Sequence, residues 1–212
     1  IAAGPVDQVT ATILVAGGLI LFLGIHDDLD PHAEGVRWWL RLLFQGFLAV
    51  FVIYPAITLG FLRSPWLSIP IMLLWIVGIT NAFNLLDNMN GLSAGVAAIA
   101  GFTFATLAAR YADVGPEQLP TARAAASLAG ACLGFLPSNF RSRIFMGDAG
   151  SLFVGFTLAC LAALGSWQSP TVPTSVIIPI LVLAYPIFDT TLVVILRIHR
   201  GQSPVMGGRD HS

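Results

Sequence analysis

Five amide or acid side chains, Asn81, Asn84, Asp87, Asn88 and Asn90, fall within ten residues, between strongly apolar runs. Polar groups are costly where a chain meets hydrocarbon, so such a cluster marks a candidate functional site. At about 100° per residue, Asn81, Asn84 and Asp87 lie within roughly a 120° arc of one helical face, and are expected to converge on one ligand. Two further acidic elements have the same character. The stretch Leu23-Gly24-Ile25-His26-Asp27-Asp28-Leu29-Asp30 closes the first apolar run with paired carboxylates. Adjacent carboxylates repel, and the end of a helix that they occupy is already partly negative. A solvated helix end explains them poorly. A divalent cation held by the pair, or service as a base toward a phosphate nucleophile, explains them better. The third element, Arg141 to Ser151, sets Asp148 between Gly147 and Gly150, a composition suited to a tight turn that projects a carboxylate at a helix entry. Alone, Asp148 has a helix cap as its minority reading. Beside the other acids it reads as a Mg²⁺ ligand with Asn84, because Mg²⁺ takes one or two protein oxygens and fills its shell with water and phosphate.

The closing stretch, Arg197 to His211, is basic and glycine-rich. Arg200, Arg209 and His211 are suited to a pyrophosphate, although taken singly a basic tail after a last span is more often a topology or headgroup anchor. Asp189, near Pro186 where a helix is expected to kink, is read as a pairing group outside the catalytic set. The histidines have no metal-ligand spacing that would suit zinc. Cys132 and Cys160 sit in apolar runs and read as packing residues.

The elements that must position these groups are membrane helices. The chain of 212 residues is 56% hydrophobic and only 10% charged, with a mean hydropathy of +0.83; a soluble domain carries about 25% charged residues. Seven stretches, near 9–25, 40–61, 67–84, 92–111, 121–137, 149–166 and 173–196, are long enough, or nearly so, to cross about 30 Å of hydrocarbon as helices. The expected fold is all-α, a polytopic bundle of about seven transmembrane helices forming a single domain over residues 1–212. The abrupt ends suggest parts of a longer protein on both sides. Alternating the spans puts seven arginines, Arg37, Arg41, Arg141, Arg143, Arg197, Arg200 and Arg209, on one side and Arg63, Arg110 and Arg123 on the other. By the positive-inside rule the first side is cytoplasmic. All the motifs fall there, which predicts one cytoplasm-facing active site.

In order, these motifs resemble those of the polyprenyl-phosphate N-acetylhexosamine-1-phosphate transferases (glycosyltransferase family 4), over about Leu19 to Ser212. Asn81-Ala82-x-Asn84-x-x-Asp87-x-x-x-Gly91-Leu92, Phe145-Met146-Gly147-Asp148-x-Gly150-Ser151 and the terminal Gly207-Gly208-x-Asp210-His211 carry the likeness with the Asp27-Asp28 segment. The resemblance implies transfer of a sugar-1-phosphate, GlcNAc-1-phosphate by default, from a UDP-sugar to undecaprenyl phosphate, releasing UMP, at the bacterial inner membrane. It implies Mg²⁺, with Mn²⁺ as a substitute, and no nucleic-acid partner; a homodimer is left open. Carried over by motif, Asp27 and Asp28 are the catalytic pair, and Asn84 and Asp148 hold the metal. Arg41, four residues before Gln45, meets the lipid phosphate. Phe145 stacks on the uracil, Asp87 and Asn90 contact the nucleotide sugar, and Arg209, Asp210 and His211 begin a tail that clamps the diphosphate. The sequence departs from the common pattern at Asn90, where an acid is usual, and lacks the second histidine of the tail and the usual N-terminal nucleotide-binding segment. Another membrane phosphotransferase or prenyltransferase is the rival enzyme reading. The non-enzymatic alternative is an ion or metabolite transporter with acids along its path.

Overall fold

The computed structural model describes residues 5–29, 36–58, 65–112, 118–164 and 174–202, and among these every regular element is a helix. They are α1 (Pro5–Asp28), α2 (Trp38–Thr58), α3 (Pro65–Leu86), α4 (Leu92–Arg110), α5 (Gln118–Phe140), α6 (Gly147–Leu164), α7 (Thr174–Val182) and α8 (Ala184–His199). A proline opens α1 and α3, at the first helical position, whose N–H has no intrahelical partner to lose.

The bundle is arranged around α6, which packs on α1, α3 and α4. From Ser151 to Ala162 every residue of α6 is buried except Phe153, so this helix is enclosed by protein nearly all round. Gly155 lets α6 lie against Thr80 and Phe83 of α3. The α4–α5 pair closes in the same way, with Gly101 against Ala125 and Ala129; small residues are how membrane helices approach closely. α2 lies against α1 and α3, and α8 against α3.

Four helices are long and apolar enough to cross a membrane, within Thr10–Asp28, Ile69–Leu86, Leu92–Arg110 and Gln118–Phe140, and the α7–α8 pair makes a fifth if counted as one span. Six of the seven apolar stretches correspond to α1–α6. Two of them, Trp38–Tyr54 and Gly147–Ala163, are shorter apolar helices. The seventh stretch is not one rod. α7 and α8 are bent by 71° about Leu183, where the α-helical dihedrals are lost. Pro186 explains the place: it has no N–H to give to Val182, the last residue of α7, and its ring crowds that carbonyl.

Candidate active site

Asp148 lies in the first turn of α6, and side chains from three other helices meet there. Asn84, near the end of α3, donates from Nδ2 to Asp148 Oδ1 at 2.7 Å and to Ser151 Oγ at 3.0 Å. Arg41, in the first turn of α2, reaches Asp148 Oδ2 at 2.8 Å with Nη2. The same nitrogen pairs with Asp27 at the end of α1. The Asp27 side chain is 3% exposed, and its other oxygen accepts the Val36 N–H at 2.7 Å.

Asp28 takes a different part. Its carboxylate accepts the backbone N–H groups of Asp148 and Ala149 at 2.8 and 3.0 Å. It is therefore the N-terminal cap of α6 supplied from α1, and it satisfies donors that a helix start leaves without partners. The backbone requires this arrangement to be tight. Gly147 has φ +65°, and a Cβ there would stand 2.6 Å from Asp28 Oδ2. Gly24, one turn before Asp28, faces the Ala149 backbone so closely that a Cβ would collide with it. Paired carboxylates at a negative helix end are thus offset by the positive start of another helix and by one guanidinium.

Asp87 lies just past α3, beside the same helix start. Burial pushes its carboxyl from 3.8 up to about 6; the Gly147 N–H holds it down, while the charges of Asp148 and Asp28 raise it further. Four carboxylates, Asp27, Asp28, Asp87 and Asp148, share one end of the bundle, and Arg41 is the cation that bridges two of them.

The loop from Asp87 to Gly91 is tied to the loop before α6. Asn90 Nδ2 donates to Ser142 Oγ at 2.7 Å. The Gly91 N–H donates to Asn139 Oδ1, and Asn139 Nδ2 donates to Ile144 O at 3.0 Å. Asn139 is buried and joins two loops that each hold expected substrate residues. Phe145, in the second, is 71% exposed, available for a planar ring. Arg209, Asp210 and His211 lie outside the described residues.

The structure corrects one expectation. Asn81 does not converge with Asn84 and Asp87. Its Nδ2 donates to Gln45 Oε1 at 2.6 Å and to Val77 O at 2.7 Å, one turn deeper between α2 and α3. A shared helical face fixes a direction, and the neighbour covering each turn of that face decides the contact. Sequence reasoning missed Gln45, Asn139 and Ser151 as parts of this network. A lone glutamine inside a helix as apolar as α2 was the available signal for Gln45.

Among the described residues, no group of three His, Cys, Asp or Glu stands in a metal-holding arrangement. The donor chemistry nonetheless fits a hard divalent cation. Asp148 spends one lone pair of each oxygen on Asn84 and Arg41 and retains others, and the amide oxygen of Asn84 takes part in neither bond that its nitrogen makes. Mg²⁺ needs no more than one or two such groups when phosphate oxygens complete its shell.

An all-helical bundle with membrane-length apolar helices and an acid-rich cluster at one end defines the class: a polytopic membrane protein. Residues 10–166 match the family model for glycosyl transferase family 4, and the chain belongs to that family. It is 36% identical over 222 residues to a probable undecaprenyl-phosphate N-acetylglucosaminyl 1-phosphate transferase of Bacillus subtilis (strain 168), covering 100% of this chain and 59% of that protein. A decaprenyl-phosphate N-acetylglucosaminephosphotransferase of Mycolicibacterium smegmatis (strain ATCC 700084 / mc(2)155) is 31% identical over 94% of this chain and 54% of its own length. A phospho-N-acetylmuramoyl-pentapeptide-transferase of Heliobacterium modesticaldum (strain ATCC 51547 / Ice1) is 37% identical over 87% of this chain and 58% of its own length. The chain spans between half and two thirds of these relatives.

Proposed function

We propose that the protein containing this chain transfers GlcNAc-1-phosphate from UDP-GlcNAc to a polyprenyl phosphate at the cytoplasmic face of a bacterial inner membrane, releasing UMP. The observation that carries this reading is the meeting of Arg41, Asn84 and Asp28 on Asp148 and its helix start, from three separate helices. The names of the Bacillus and Mycolicibacterium relatives supply the sugar and the lipid class. Four acids, Asp27, Asp28, Asp87 and Asp148, gather at one end of the bundle while Asp189, within α8, stands apart, and this gathering favours the transferase reading over the transporter alternative.

In the reaction, an oxygen of the lipid phosphate attacks the sugar-bearing phosphorus of the UDP-sugar. A new P–O bond forms there, the bond to the oxygen bridging the two phosphates breaks, and UMP departs with that oxygen. Such transfers are governed by positioning and by neutralisation of charge. Mg²⁺ held by Asp148 and Asn84 supplies part of that neutralisation when bound. Arg41, oriented by Asp27, meets the acceptor phosphate. Asp28 fixes the start of α6 and with it Asp148. Phe145 offers a ring face to uracil, and the tie between Asn90 and Ser142 closes the loops around the nucleotide.

The test is exchange of labelled UMP into UDP-GlcNAc by membranes holding the full-length protein, with Mg²⁺ and polyprenyl phosphate. Asp148→Ala is expected to reduce exchange by about 10²-fold or more, the loss typical of removing one group that stabilises transition-state charge. Exchange at the wild-type rate in that variant rejects the metal role, and membranes that use a different labelled UDP-sugar reject the choice of GlcNAc.

A further inference from the structure

Gln45 lies one turn beyond Arg41 on α2, and the transfer chemistry above does not use it. Its side chain is 0% exposed, in a helix that is apolar on either side of it from Leu42 to Ile53. An amide enclosed in this way is costly unless its hydrogen bonds are made. Gln45 makes only half of them: Oε1 accepts from Asn81, while Nε2 is buried without a partner. Asn81 does not depend on the pair for its own satisfaction, because its Nδ2 also reaches Val77 O in its own helix. Stability therefore accounts poorly for a glutamine here, where leucine would bury the same space without an orphaned donor.

What the pair does fix is the seating of α2. This helix carries Arg41, yet it packs chiefly on α1 and α3 rather than on α6, where Asp148 stands. The reach of Arg41 to Asp148 is consequently set by how α2 is turned on its neighbours. Arg41 and Gln45 are four residues apart and share a face of α2; Asn81 and Asn84 are three apart and share a face of α3. The two helices run in opposite directions from the site, so their polar groups form two rungs. Arg41, Asp148 and Asn84 make the outer rung. Gln45 and Asn81 make the inner rung, about 5.4 Å deeper.

We propose that Gln45 is a positioning residue for the transfer reaction: through Asn81 it locks the rotation of α2 on α3, and so aims Arg41 at the acceptor phosphate. The proposal rests on the transferase reading. Its variants are Gln45→Leu, Asn81→Leu, their double, and the exchanged pair Gln45→Asn with Asn81→Gln, each in the full-length protein in vesicles. The readouts are the separate KM values for polyprenyl phosphate and UDP-GlcNAc, with the melting temperature in detergent.

Gln45→Leu is expected to raise the acceptor KM by about tenfold and the UDP-GlcNAc KM by less than about twofold, since Arg41 meets the acceptor phosphate directly and the donor side only through Asp148, which Asn84 also holds. Its melting temperature stays equal or rises. The double variant is no worse than either single one, because residues acting as a unit are not additive. The exchanged pair, which restores one long and one short amide, regains most of the acceptor affinity. An unchanged acceptor KM, an equal rise in both KM values, additive losses, or an exchanged pair as poor as the singles overturns the proposal. A Gln45→Leu protein that does not fold overturns it too, by making the amide a stability element. A wild-type protein that forms no lipid-linked product overturns the transferase reading, and this proposal with it.

Discussion

Arg41 meets two carboxylates with one nitrogen, Nη2, rather than with the two arms of its fork. A single ammonium with three donors can make the same pair of contacts, so the usual reason that lysine cannot stand in for arginine is absent here. Arg41→Lys is expected to cost under about 1 kcal/mol. Arg41→Met leaves Asp27 enclosed with no cation and is expected to cost about 3 kcal/mol or more; thermal unfolding in detergent separates the two. Asp87 makes the complementary case, an acid in no ion pair among the described residues. Its carboxyl is raised from 3.8 to about 6, so between those values the folded protein binds a proton that the unfolded chain has released. Asp87 therefore favours the folded state below about pH 4, and that contribution is lost as pH rises through about 6. Melting curves from pH 4 to 7 are expected to show stability falling across this window, with a shallower fall in Asp87→Asn. Added Mg²⁺ is expected to recover more stability at pH 7 in the wild type than in that variant.

At the scale of the helix, the site depends on how closely α1 and α6 approach. Gly24 is the point of contact, and it lies one turn from the cap that Asp28 provides. Gly24→Ala places a Cβ against main chain that cannot swing aside, and overpacking of this kind costs about 1–3 kcal/mol. The variant is expected to unfold at lower temperature and to lose transfer activity, as the start of α6 is pushed from Asp28. Gly18→Ala, on the same helix with nothing within 4 Å of the added carbon, is the control expected to change neither. The existence of these helices was legible in the sequence, since apolar runs in a membrane chain have little alternative to helix. The polar motifs were legible because Asp27, Asp28, Asn84 and Asp148 are too costly in such a setting to be incidental. Their division of labour was not. That Asp28 caps a helix 120 residues away, or that Asn81 turns to Gln45 rather than to Asn84's ligand, is decided by which helices are neighbours. Composition and spacing within one segment do not carry that information. The break at Leu183 was half legible: Pro186 announced a kink, but not that it would divide one apolar run into two helices at 71°.

For the whole molecule, the contacts fix which loops share an end. Asp28 with Asp148, Asn84 with Asp148, and Asn90 with Ser142 put the ends of α1, α3 and α5 and the starts of α4 and α6 together. Arg37, Arg41, Arg141, Arg143, Arg197 and Arg200 belong to the loops and helix ends of this side by the alternation of spans, and an excess of arginine in short loops marks the cytoplasmic face. Ser142 is exposed at that end, and Trp66, at the start of α3, is 92% exposed. Three helices, α3, α4 and α5, separate the two positions, and each is long and apolar enough to cross. An odd number of crossings must put Trp66 and Ser142 on opposite faces. A membrane-impermeant maleimide applied to intact cells is therefore expected to label Trp66→Cys and leave Ser142→Cys unlabelled until the cells are permeabilised; Cys132 and Cys160 are buried and contribute little background. Reversed labelling inverts the molecule and turns the acid site away from the cytoplasm, which removes the proposed orientation. Labelling of both from one face means that one of the three helices does not cross, and that the loops gathered around Asp148 do not lie at a single membrane surface.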